Sequence, residues 1–143
     1  MTDELKKNYF FLLVPLILGF ILAGWVKAYD LVEISSDNLI GIAGPFIFVF
    51  CIALAIGFPI FYRTLFAHKS RDLISVSENT LLKFERTLIN VTMITPYLSL
   101  TAFILDLPHF YTASAILMGL YVVYYFYPSK KRIAFDRRIF RTI

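Results

Sequence analysis

TLINVTMITPYLSLTAFIL (residues 87–105), DLPH (106–109) and FYTASAILMGLYVVYYFY (110–127) follow one another directly, and this passage decides the fold. Two uncharged runs of 19 and 18 residues are separated by only four residues. A bilayer core takes about 20 mostly apolar residues per helix. A backbone in lipid must also satisfy its own hydrogen bonds, which long runs without alternation do only as helices. The passage therefore predicts a tight antiparallel hairpin of two membrane-spanning helices. Outward from it, two more runs qualify: 9–26, ending before Lys27, and 39–62, ending before Arg63. The expected fold is an all-α membrane protein, a four-transmembrane-helix bundle forming a single domain over 1–143.

Composition points the same way. Hydrophobic residues make up 59% of the chain and charged residues 17%, with a mean hydropathy of +0.72. A soluble domain is nearer 45–50% apolar and about 25% charged, so a water-soluble globule is excluded. Disorder, which needs low hydrophobicity and high charge, is excluded with it. Lys6 and Lys7 before an apolar run could announce a signal peptide. The run is about 18 residues long, however, and residues 24–28 (GWVKA) make a poor small-residue cleavage site, so retention is expected.

Basic residues set the orientation, because positively charged loops stay in the cytoplasm. The N-terminal tail holds Lys6 and Lys7, and the connection 63–86 holds Arg63, Lys69, Arg71, Lys83 and Arg86. The tail 128–143 adds Lys130, Lys131, Arg132, Arg137, Arg138 and Arg141. Thirteen of the 14 basic residues thus fall on one side, leaving Lys27 with Asp30, Glu33, Asp37 and Asp106 on the other. Both termini are expected in the cytoplasm, and the pattern suits a bacterial inner membrane. The net charge of +4 is on this reading a topology signal. No nucleic-acid-binding motif accompanies it, so nucleic acid is not an expected partner.

Two segments outside the spans suggest structure. Ser75-x-x-Glu78 has capping-box spacing and predicts a helix that begins there and runs on into the third span. In the tail, Ile133, Phe135, Ile139, Phe140 and Ile143 share half of a helical wheel, with Arg132 and Asp136 interrupting that side. The tail reads as a basic amphipathic helix suited to anionic lipid headgroups or a partner protein, with a disordered positive-inside tail as the alternative. Lys130, Lys131, Arg132, Arg137, Arg138 and Arg141 are its candidate contact residues. The two hairpins enter the membrane from the same side, so an inverted repeat of the transporter kind is absent.

Chemistry-bearing residues are few. No span contains a charge, and Glu85 and Arg86 lie at the lip of the third, as boundary residues. His68 and His109 are separated by a bilayer of about 30 Å and cannot share a metal or haem. The single cysteine, Cys51, excludes a disulfide framework. Without a Ser-His-Asp set, a Gly-rich phosphate loop or clustered carboxylates, neither catalysis, a cofactor nor a metal is expected. The third span is the polar one. Thr92, Thr95 and Ser99 recur on one face, Asn90 adjoins them, and Pro96 deprives the Thr92 carbonyl of its donor. These hydroxyls either line a polar path or make interhelical hydrogen bonds. Tyr121, deeper than its neighbours Tyr124, Tyr125 and Tyr127, could take a partner from this helix or line a site for a flat lipophile. Gly19/Ala23, Ala53/Gly57 and Ala115/Gly119 have the small-xxx-small spacing that lets helices in lipid approach closely.

Three functions from different classes are compatible with these residues. The first is an accessory or scaffold subunit of a larger membrane complex. The second is a homo-oligomeric channel or transporter for a small solute, with the path along the third span. The third is a lipid- or quinone-binding membrane module. Expected partners are the bilayer and either other membrane subunits or further copies of the chain.

Overall fold

Seven α-helices carry residues 1–29 and 37–142, the part of the chain that this computed structural model describes. They are α1 (Thr2–Ala28), α2 (Asp37–Ile52), α3 (Phe58–Ser70), α4 (Glu78–Thr92), α5 (Ile94–Ile104), α6 (His109–Tyr125) and α7 (Lys130–Ile139). A π-helical turn, Ala53–Gly57, joins α2 to α3 without interruption. Most of the acidic loop expected at 27–38, with Asp30 and Glu33, lies outside the described residues. Three helical stretches are long and apolar enough to cross a membrane: Thr2–Ala28, Ile40–Ser70 and Glu78–Ile104. The fourth apolar helix, α6, has 17 residues, and α7 turns away from it by 76°.

Local chemistry explains where these helices bend and stop. In the π turn the Phe58 N–H donates to the Ala53 carbonyl, and Pro59 follows with no N–H to restore the ordinary register. Arg63 to Ser70 contains neither glycine nor proline, so α3 continues past the expected span end at 62, and only 71–77 is non-helical. Ser77, not Ser75, caps α4: its Oγ accepts from the Thr80 N–H at 3.4 Å. Glu78 is then the first helical residue, too early to close a capping box, and its carboxylate pairs with Arg137 instead. The long helix breaks at Met93, three residues before Pro96.

The hairpin end closes tightly. Asp106 takes a left-handed conformation (φ 53°) just past α5. The Leu107 N–H reaches back to the Ala102 carbonyl at 3.3 Å and the Asp106 N–H to that of Phe103 at 3.4 Å. These two bonds satisfy carbonyls that the end of a helix leaves without donors. Lys27 of α1 donates to Asp106 Oδ1 at 2.8 Å and holds that carboxyl below its usual range, first through the hydrogen bond and then through charge.

The stretch α4–α5 is the central one. Of its most apolar window 44% is buried, against 17% in each of the other two long helices. Helices α1, α2 and α6 pack around it, with α5 and α6 closest. A Cβ added at Gly119 would lie 2.9 Å from Ser99 Oγ and 3.2 Å from Pro96 Cα, and one at Gly19 would lie 2.6 Å from Leu100 Cδ2. Two of the three small-residue pairs therefore serve packing inside the chain. Gly57 has nothing within 4 Å of such a Cβ.

Tyr9 ties α1 to the opposite end of the bundle. Its buried hydroxyl donates to the Val123 carbonyl at 2.6 Å, in the last turn of α6, where the helix supplies no donor of its own. Tyr9→Phe is expected to cost about 1–2 kcal/mol, as an acceptor is left bare. The check is the thermal unfolding midpoint in a mild detergent.

Candidate functional site

Thr92, Thr95 and Ser99 of the central helix are buried, and two of the three donate to nearby backbone. Thr92 Oγ1 donates to the Leu88 carbonyl at 2.8 Å and the Ile89 carbonyl at 3.2 Å. Ser99 Oγ donates to the Pro96 carbonyl at 2.6 Å, using an oxygen close to the proline break. Thr95 Oγ1 is buried without a partner among the described residues. Asn90 sits apart on the surface, accepting from Asn8 Nδ2 of α1 at 2.6 Å. Tyr121 does not join them. It is exposed, its ring stacks on Tyr125 with centroids 5.3 Å apart, and it borders a groove of about 420 Å3 with Ile56, Leu117, Met118 and Leu120. The five candidates are thus distributed over a buried stripe, an α1–α4 contact and an outward groove.

The densest chemistry lies at the other end, beneath α7. Ser129 caps this helix, its Oγ accepting from the Arg132 N–H at 3.2 Å. After α7, Arg141 takes a left-handed conformation (φ 49°) and the Thr142 N–H returns to the Arg137 carbonyl at 3.0 Å. The Val76 N–H donates to the Arg141 carbonyl at 3.4 Å, binding the segment to the α3–α4 connection. So anchored, α7 lies across the end of the bundle and buries Ile133 and Phe140 against it. Phe140 meets the rings of Phe66 and Phe84 at centroid distances of 4.8 and 5.7 Å.

Within this contact, two carboxylates and two guanidiniums meet. Glu85 of α4 and Asp136 of α7 are each 1% exposed. Arg132 Nη2 donates to Glu85 Oε2 at 2.5 Å and its Nη1 to the Phe126 carbonyl at 2.7 Å. Arg63 Nη2 of α3 donates to Asp136 Oδ2 at 3.2 Å, and Arg132 Nε stands 3.9 Å from the same oxygen. The formal charges cancel, which is what allows four ionisable groups to leave water together. Glu85 Oε1 and Asp136 Oδ1 have no hydrogen-bond partner among the described residues.

A boundary role for Glu85 is therefore not what the geometry gives: the residue is enclosed. Its signal was present in the tail, where Arg132 and Asp136 interrupt the apolar half of the wheel. Those two residues turn inward. Of the six basic tail residues, Arg132 and Arg137 make ion pairs within the chain. Lys130, Lys131, Arg138 and Arg141 are exposed, with no ion pair among the described residues. No group of three or more His, Cys, Asp or Glu that could hold a metal occurs among the described residues. No protein-family model, curated protein or solved structure matches the chain.

Proposed function

We propose that the chain is a small non-catalytic polytopic membrane protein, an accessory or scaffold subunit of a larger membrane complex. One observation carries this reading. Ion pairs to the buried carboxylates Glu85 and Asp136 join α7 to α4 and α3 across the end of an apolar bundle, while Lys130, Lys131, Arg138, Phe135 and Ile139 are exposed. A helix packed on the bundle by one side, with mixed basic and apolar side chains exposed on the other, suits a docking platform.

The topology that goes with it is four spans with both termini in the cytoplasm of a bacterial inner membrane. At 1.5 Å per residue, α6 reaches about 26 Å, within the mismatch a bilayer absorbs by small adjustments. The hairpin returns it antiparallel to α5. The basic residues gathered at the α7 end supply the orientation.

The subunit reading is favoured over a solute path because Thr92 and Ser99 donate to carbonyls of their own helix. The groove beside Tyr121 favours a lipophile-binding module as the second reading. Native mass spectrometry of protein extracted in mild detergent from its own cells, at natural abundance, separates these. A reproducible complex with other chains is expected. A homo-oligomer alone would overturn the subunit role and favour a transporter, and a monomer retaining a lipophile would favour the module.

A further inference from the structure

We propose that the groove between α3 and α4 is a binding site for one anionic phospholipid, seated with its phosphate at Lys69 and Lys83. The groove has a volume of about 570 Å3 and a mixed lining. Tyr62, Leu65, Phe66 and Phe84 supply apolar surface, Lys69 and Lys83 two ammonium groups, and several Ser and Thr hydroxyls line it as well. Tyr62, Phe84 and Phe66 form a stacked aromatic wall, with centroids 5.1 and 4.1 Å apart. Aromatic walls beside two ammonium groups match a ligand that carries both an acyl chain and a phosphate.

Charge narrows the occupant. No carboxylate lines the groove, and neither lysine makes an ion pair among the described residues. Of the acids nearest in sequence, Glu78 is held by Arg137, and Asp72 adjoins the groove-lining Leu73 without lining the groove itself. Ser70 and Ser75 make no side-chain hydrogen bond among the described residues, so both hydroxyls remain available as donors.

Position supplies an independent argument. The groove straddles the end of the apolar stretch Ile40–Ser70, where basic side chains meet headgroups. The connection at its mouth carries Leu73 and Ile74, and Ile74 is 92% exposed, directly after Arg71 and Asp72. An isoleucine so bare, three residues after Arg71, fits a loop resting in the headgroup layer with its apolar tip toward the acyl chains. The inference needs the membrane reading only, and holds whether or not the protein is a subunit of something larger.

The test uses the full chain in mild detergent, titrated with phosphatidylglycerol and with phosphatidylcholine of the same acyl chains and read by native mass spectrometry. Wild type should hold one phosphatidylglycerol in preference to phosphatidylcholine. The double variant Lys69→Gln/Lys83→Gln should lose about 30-fold in phosphatidylglycerol affinity, roughly fivefold per lysine near the surface. The control Lys130→Gln/Lys131→Gln on α7 should leave that tight site intact. Both lysines of the groove are exposed, so the variant keeps its fold. Equal retention of the two lipids, an unchanged double variant, or loss of the site in the α7 control would each overturn the proposal. Displacement by millimolar glycerol 3-phosphate would also overturn it, reassigning the groove to a soluble phosphate ester.

Discussion

Replacing Arg132 with alanine is expected to destabilise the protein by about 3–5 kcal/mol, the cost of removing one partner from a buried ion pair. Arg132 is the hub of the cluster. Among the described residues it is the one that donates to Glu85, and it caps the Phe126 carbonyl at the corner between α6 and α7. Without it, Glu85 and Asp136 face each other as two buried carboxylates with only Arg63 as counter-charge. The readout is twofold: a lowered thermal midpoint in detergent, and limited proteolysis at Lys130 and Lys131, where cleavage should become fast as α7 lifts away. Loss of α7 packing alone would produce the same symptoms, and a double substitution separates the two causes. Arg132→Met combined with Glu85→Leu removes charge from both sides and should recover much of the loss, since apolar replacements of a buried pair are often neutral. If the double variant is no more stable than Arg132→Ala, the buried charge is not the cause.

Gly119→Leu is the second large effect. The new Cβ would meet Ser99 Oγ at 2.9 Å and Pro96 Cα at 3.2 Å. A side-chain hydroxyl can rotate, but the proline backbone cannot retreat without opening the α5–α6 hairpin. Overpacking of this kind costs about 1–3 kcal/mol, and the further leucine carbons place this substitution at the upper end. Gly57→Leu is the matched control, because nothing lies within 4 Å of its would-be Cβ. It should leave the midpoint nearly unchanged, or raise it slightly through helix propensity. Equal effects at the two glycines would mean that close α5–α6 approach is not what Gly119 provides.

How much of this was legible in the sequence follows from the range of the forces involved. Helix positions follow from runs of apolar residues and from prolines, which are local, so the apolar runs, the 106–109 hairpin turn and the break near Pro96 could be read directly. Helix ends beyond the apolar runs could not. α3 reaches Ser70 because nothing stops it, and α4 is capped by Ser77, which leaves Glu78 in the first turn to pair with Arg137, a partner 59 residues away. The hydroxyls of the third span carried two readings, and the choice between them depends on which helix is central, a property of packing. Glu85 was hardest. A carboxylate at the end of an apolar run resembles any boundary residue, and its enclosure is created by a helix that starts 45 residues later.

The ion pairs that hold α7 join residues 47 and 73 positions apart in the chain. Their arrangement has a consequence for biosynthesis. As the protein emerges from the ribosome, Arg63 and Glu85 are made and placed long before Arg132 and Asp136 exist. Until α7 arrives, the nascent bundle displays unmatched charges next to the aromatic wall of Phe66 and Phe84. Closure of this end of the bundle is therefore a late event, because it waits on the synthesis of α7.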